Sequence, residues 1–383
     1  MEEKSLKLWK TWLKKMNPYT EVDRTGKTVT RPDLAAKIER YKKLKHGHED
    51  FPEFSWIFNQ DQKFLDPFPI SLDNESINYV VPAGIFEQDL QKAQIYFCNL
   101  NPALAAGQEA ILRSAQTRVA FSAFAEAEDA TWIDHEPSEN IIYQQLFGNT
   151  RPGESLSEIL QTNRKSDKQH WYAQHAAYII RHLFDADRNG KTEMSLDRAK
   201  ELLLRYPVQF VDLLPYRTRQ ATDFVKFLKT ASTVDYQTNS IQAYEKTNGQ
   251  KETFSGLPNG AKVALMPSSQ FILGSLLERI RVYIEEEQHN SADHIPAPSF
   301  VFRSYKQWWE PALQTFLAAQ WDGQLPASIK ELGSDSNALL QALEARFFWQ
   351  YSSQQSVYVS KNNVIKMSDD GDFDRTFIEP FKD

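Results

Sequence analysis

Residues 94–100 read Gln-Ile-Tyr-Phe-Cys-Asn-Leu, an almost unbroken apolar run, after which the chain turns at Asn101-Pro102 and resumes a helical period over 108–124. A short apolar run closed by a turn reads as a strand buried on both faces. Three further stretches share the pattern. Residues 208–214 (VQFVDLL) end in Pro215-Tyr216-Arg217, and 262–266 (KVALM) end in Pro267-Ser268-Ser269 before a helix carrying Phe271, Leu273, Leu276, Leu277, Ile280 and Ile284. Ser299–Phe302 ends in Arg303-Ser304-Tyr305 before a helix over 307–319. Apolar strands alternating with helices predict an α/β fold, a three-layer α/β/α sandwich whose central sheet of about four strands is mostly parallel.

On either side of these strands the pattern changes. Residues 1–48 hold 13 lysines and arginines against 6 acids, a local charge of +7, so the remainder carries −14 of the net −7. Leu6, Trp9, Leu13 and Met16 recur at helical spacing with lysines between them, which predicts an amphipathic helix, and a second helix is expected from Asp33 to about Lys45. Residues 51–82 read as an irregular connection. Between the first two strands, 171–184 and 195–206 look helical, so an inserted helical layer is expected over 125–206. A helix over 336–348 and a hairpin over 356–367, turning at Lys361-Asn362-Asn363, close the chain. The expected organisation is a basic helical arm (1–50), an α/β domain (51–330) with its insertion, and a C-terminal segment (331–383) packed on the same domain.

Composition narrows the class. With 383 residues, 41% hydrophobic and 25% charged, the chain can bury a core and is not low-complexity. A single Cys98 forms no internal disulfide and no cysteine zinc site, which fits a reducing, cytoplasmic setting. No apolar run approaches the roughly 18 residues of a membrane span, and the N-terminus lacks the apolar centre of a secretory signal, so no membrane is expected. Most of the 13% aromatic residues are expected in the core.

Several motifs fail on inspection. Gly26-Lys27-Thr28 and Gly190-Lys191-Thr192 imitate a phosphate loop, but the position of its first glycine holds Glu21 and Asp185. Residues 185–190 begin like a calcium loop, yet its twelfth position is Leu196 where a bidentate glutamate is needed. The histidines show no metal spacing, so no metal site is expected. What remains is geometric: a parallel sheet gathers the carboxyl ends of its strands on one edge, where ligands bind. Asn101, Tyr216, Arg217, Ser268, Ser269, Arg303, Ser304 and Tyr305 would then line one cleft.

Residues 95–102, a buried strand ending in Leu100-Asn101-Pro102, resemble the first active-site motif of the uracil-DNA glycosylase superfamily, G-L-N-P-G or G-M-N-P-G. Pro67-Phe68-Pro69 and Lys92-Ala93 resemble the lead-in of large bacterial members. Residues 211–216 resemble their middle strand, and Arg303-Ser304-Tyr305 stands where the superfamily carries its last active-site loop, often H-P-S. Asn99 and Ala103 replace both glycines of the first motif, and no His-Pro-Ser occurs. The resemblance implies a uracil-DNA glycosylase-like fold and a monofunctional DNA glycosylase without cofactor, acting as a monomer on double-stranded or single-stranded DNA. It makes Asn101 the residue that positions the attacking water and Arg303 the one that supports the leaving base. Pro102, Tyr216, Ser268, Ser304 and Tyr305 would form the base pocket. Lys10, Lys14, Lys15, Lys42, Lys43 and Arg217 are the expected contacts to the DNA backbone.

Such an enzyme hydrolyses the N-glycosidic bond of a flipped-out base, leaving an abasic site. The resemblance permits uracil, another deaminated base, or a modified cytosine such as phages carry. Two other readings stay open: a non-catalytic nucleic-acid or nucleotide-binding module that keeps the cleft, and an enzyme cleaving free nucleosides.

Overall fold

The computed structural model describes residues 2–45, 55–66, 93–100, 208–216, 221–229, 254–289 and 295–379 except 354–355, 357–358 and 369–370. The chain begins with α1 (Glu2–Met16), a small hairpin of β1 (Thr20–Val22) and β2 (Thr28–Thr30), α2 (Pro32–Lys45) and the short α3 (Asn59–Gln62). Next come β3 (Ile95–Asn99), β4 (Val208–Asp212), α4 (Ala221–Val225), a 3-10 turn at Phe254–Gly256, α5 (Asn259–Val263) and the long α6 (Pro267–His289). The last third holds β5 (Ser299–Phe302), a π-helical turn (Tyr305–Trp309), α7 (Glu310–Trp321), α8 (Ala327–Lys330), α9 (Ser336–Phe347), β6 (Phe348–Tyr351), β7 (Val364–Lys366) and α10 (Phe373–Phe377).

Among the described residues the main sheet has the order β4-β3-β5-β6-β7, with the first four strands parallel and β7 antiparallel. The fold is therefore α/β with a mixed, mostly parallel sheet. Its order departs from chain order in an informative way. From β3 the chain passes to β4 on one side and then returns across β3 to β5 on the other, so the chain leaves β3 and β5 toward opposite sides of the sheet. Crevices in open parallel sheets form at this kind of reversal, at the carboxyl ends of the strands.

Alternation divides the strands into two faces. Tyr96, Cys98, Val211, Leu213, Phe300, Phe302 and Phe348 join one continuous core with α1, α6, α7 and α9. Ile95, Phe97, Phe210 and Val301 are buried on the opposite face, where Phe97 meets Phe210 at 4.9 Å between ring centroids and Trp349 packs on Phe377 at the same separation. Burial of both faces explains why the strands are apolar throughout.

Helix α1 follows its sequence pattern. Trp9 is fully buried, stacks on Trp12 and donates its indole N–H to Glu278 on α6 at 2.7 Å, while Lys7, Lys10, Lys14 and Lys15 stay exposed. The helix is thus part of the core as well as the carrier of a basic face. The Gly26-Lys27-Thr28 motif is the turn of the β1–β2 hairpin: Gly26 takes φ +85°, and the Asp23 carboxylate accepts from the backbone N–H groups of Thr25 and Lys27.

Two sequence expectations are corrected. Residues 262–266 form no strand. They continue from α5 through i→i−4 bonds such as Ala264 N to Gly260 O, because a five-residue apolar run does not distinguish a buried strand from a buried helical turn, and Pro258 and Pro267 confine it. The hairpin near the C-terminus draws its first strand from Phe348–Tyr351, directly behind α9, and this strand also pairs in parallel with β5, supplying the fourth parallel strand that 262–266 does not. The helices expected over 108–124, 171–184 and 195–206 lie outside the described residues.

Candidate functional site at the carboxyl edge of the sheet

Strand register brings four polar side chains into one row. Asn99 on β3 is level with Asp212 on β4. The ladder between β3 and β5 pairs Cys98 with Phe302, and the Arg303 N–H donates to the Cys98 carbonyl at 2.9 Å, which puts Arg303 beside Asn99. The pairing of Phe302 with Gln350 on β6 then makes Tyr351 level with Arg303. Adjacent strands lie about 4.8 Å apart, so Asp212, Asn99, Arg303 and Tyr351 form a row roughly 14 Å long on one face of the sheet. All four are buried.

This row is electrostatically unusual. The Arg303 guanidinium donates to the Ser356 carbonyl and lies over the Tyr351 ring at 5.6 Å, and burial lowers its pKa. Burial likewise raises the Tyr351 pKa, with the nearby guanidinium opposing it. The Asp212 carboxylate raises the pKa of Cys98 and Tyr19, after the larger effect of their own burial. Asn99 stands between these charges. It is 5% exposed, and both its amide nitrogen Nδ2 and its carbonyl oxygen Oδ1 lack a hydrogen-bond partner. A buried amide without partners costs stability, roughly 1–3 kcal/mol for each unsatisfied group, and calls for an explanation.

The backbone leaving β5 is special as well. Ser304 has φ 53° and ψ 44°, the one positive φ at a non-glycine residue among those described, and the π turn begins immediately behind it. Left-handed backbone at such a residue and π turns both concentrate at functional positions. Gly260 on α5 holds the turn from below: a Cβ there would collide with the Trp308 carbonyl, so only glycine permits this approach. The segment is fixed in place between the sheet and α5.

A second polar cluster borders this edge. Asp61 on α3 is fully buried and accepts from the Tyr216 hydroxyl at 2.8 Å and from the Ser268 backbone N–H at 3.1 Å, near the start of α6. The Tyr216 hydroxyl accepts in turn from the Phe58 N–H at 3.0 Å. Burial pushes the Asp61 carboxyl up to about 6, against the lowering effect of these hydrogen bonds. Both Asp61 oxygens and the Tyr216 hydroxyl are partnered, and these bonds tie α3, the β4 turn and α6 together.

Of the residues expected from sequence, Arg303 and Ser304 sit at the switch point. Tyr305 is buried in the helical core layer, its ring against Phe302 and its hydroxyl on Glu344 at 2.7 Å. Tyr216 and Ser268 are fully buried in the Asp61 cluster. Lys10, Lys14, Lys15 and Lys43 are exposed, and Lys42 is on α2. Asn101, Pro102 and Arg217 lie outside the described residues. Sequence reasoning did not assign site roles to Asn99, Asp212 and Tyr351. For the first two a signal existed, since each is the polar residue that ends an apolar strand.

No three metal-ligating side chains cluster among the described residues, and none of their helices is long and apolar enough to cross a membrane. Comparison with family models, with curated proteins and with solved structures returned no match to this chain.

Proposed function

We propose that the chain is a DNA glycosylase with a uracil-DNA glycosylase-like fold, hydrolysing the N-glycosidic bond of a flipped-out damaged or modified base. The observation that carries the reading is the meeting of Asn99 and Arg303-Ser304 at the switch point between β3 and β5, the strands whose C-terminal turns carry the resemblance. The reaction needs few groups. The bond from C1′ to the base breaks with its electron pair leaving on the base, the oxygen of water bonds to C1′, and the water proton finally resides on the base or in solvent. As charge builds on the departing base, Arg303 supplies a positive donor in a buried setting, where such an interaction is strong. Asn101, two residues beyond Asn99, takes the water-positioning role that the resemblance gives it; an amide orients water without removing its proton. No metal or cofactor is required. The exposed lysines of α1 supply backbone affinity on an otherwise acidic protein.

The experiment is incubation with single-stranded and duplex DNA carrying uracil, mismatched thymine or modified cytosines, followed by alkali. Strand breaks are expected with the wild-type chain, and Arg303→Ala is expected to slow them about 10²–10³-fold, the usual effect of losing one donor to developing negative charge. DNA bound with every base still attached would replace this reading with that of a binding module.

A further inference from the structure

We infer that the row Asp212–Asn99–Arg303 reads the pairing edge of a base that carries an amino group at one end and a carbonyl at the other, as cytosine and guanine do, and rejects uracil and thymine. The inference rests on the glycosylase reading for its context, and on the register and hydrogen-bond state of Asn99 for its content.

Across the sheet the row presents an acceptor, an amide, and a donor: the Asp212 carboxylate, the Asn99 side chain and the Arg303 guanidinium. The amide at its centre has both polar atoms buried and unpartnered, so the free protein holds a donor and an acceptor ready for a ligand. The complementary edge runs donor, then either polarity, then acceptor. Cytosine fits with its amino group toward Asp212, its ring nitrogen accepting from Asn99 Nδ2 and its carbonyl accepting from Arg303. Guanine fits with its amino group toward Asp212, its ring N–H donating to Asn99 Oδ1 and its carbonyl again toward Arg303. Uracil and thymine present carbonyls at both ends, and one of them would face the Asp212 carboxylate in a desolvated site. Sites built around buried polar groups discriminate strongly against a ligand that leaves them unpaired or opposed.

The positions of these residues favour reading of an edge over general polarity. Asn99 ends a strand flanked on both sides, Asp212 ends the neighbouring strand in register with it, and Arg303 directly follows β5 with its backbone N–H on the Cys98 carbonyl. Arg303 is further fixed by Ser356 and Tyr351. Recognition elements on a rigid scaffold keep their spacing when a base enters.

The test is calorimetric titration of the full-length protein with 2′-deoxycytidine, 2′-deoxyguanosine and 2′-deoxyuridine, which reads recognition without requiring turnover. Deoxycytidine or deoxyguanosine is expected to bind at least about tenfold more tightly than deoxyuridine, the size of one discriminating base contact, and the comparison between the first two tells a pyrimidine pocket from a purine one. Asp212→Asn, nearly isosteric, is expected to erase the discrimination against deoxyuridine, and Asn99→Leu to abolish binding of all three with the fold intact by circular dichroism. Equal or tighter binding of deoxyuridine, or unchanged preference in Asp212→Asn, overturns the inference. The preference found without any base release from DNA would uphold the inference and remove only the glycosylase reading.

Discussion

Asp61 and Asn99 are both buried polar residues near the carboxyl edge of one sheet, and they differ in how their side chains are hydrogen-bonded. Asp61 has its acceptors filled by the Tyr216 hydroxyl and the Ser268 amide, whereas both polar atoms of Asn99 are left without partners. The first arrangement is what a fold uses to fasten its parts. The second costs the free protein stability and is understandable where a ligand completes it. The contrast separates a polar cluster that fastens the fold from one proposed to be completed by a ligand.

The contrast can be tested by stability measurements. Asp61→Ala strands two buried donors and opens a cavity, so a loss of about 2–4 kcal/mol is expected in denaturant unfolding. The pH dependence follows from the raised Asp61 pKa of about 6. Between about pH 4 and pH 6 the unfolded carboxyl has ionised while the folded one still holds its proton, so stability should fall as pH rises through this window and level off above it. The fall is at most about 3 kcal/mol, and Asp61→Asn should remove it. Asn99→Leu reverses the direction: deleting an unpaired amide is expected to raise stability by about 1 kcal/mol, and a loss of 2 kcal/mol or more would mean that the amide is structural. Reversing Lys10, Lys14 and Lys15 to glutamate should change stability least, within about 0.5 kcal/mol, because all three are exposed. The same triple variant should weaken DNA binding and flatten its dependence on salt.

The parallel strands at 95, 208 and 299 were legible because burial on both faces leaves a continuous apolar run, and α1 because its tryptophans and lysines segregate at helical spacing. Residues 262–266 misled for a physical reason: a run of five apolar residues satisfies a strand and a buried helical turn equally well. The parallel role of Phe348–Tyr351 was hidden because the apolar period of α9 continues into the strand without a break. At the site, Arg303 and Ser304 could be found from position alone, as the polar residues that follow a strand. Asn99 and Asp212 could not be ranked, since only register shows them level, and only the hydrogen-bond pattern shows that the amide is unpaired. Tyr216 and Tyr305 illustrate the converse. Both follow predicted strands, yet their rings pack inward and their hydroxyls are tied to Asp61 and Glu344.

A crystal structure of the protein with single-stranded DNA containing 2′-fluoro-2′-deoxycytidine, which resists hydrolysis, would examine the switch-point edge itself. The base is predicted to lie against the row, with its amino group toward Asp212 and Asn99 hydrogen-bonded to its edge. A nucleotide seated elsewhere, with the Asn99 amide still unpartnered, would contradict the assignment of this edge as the site of recognition and chemistry.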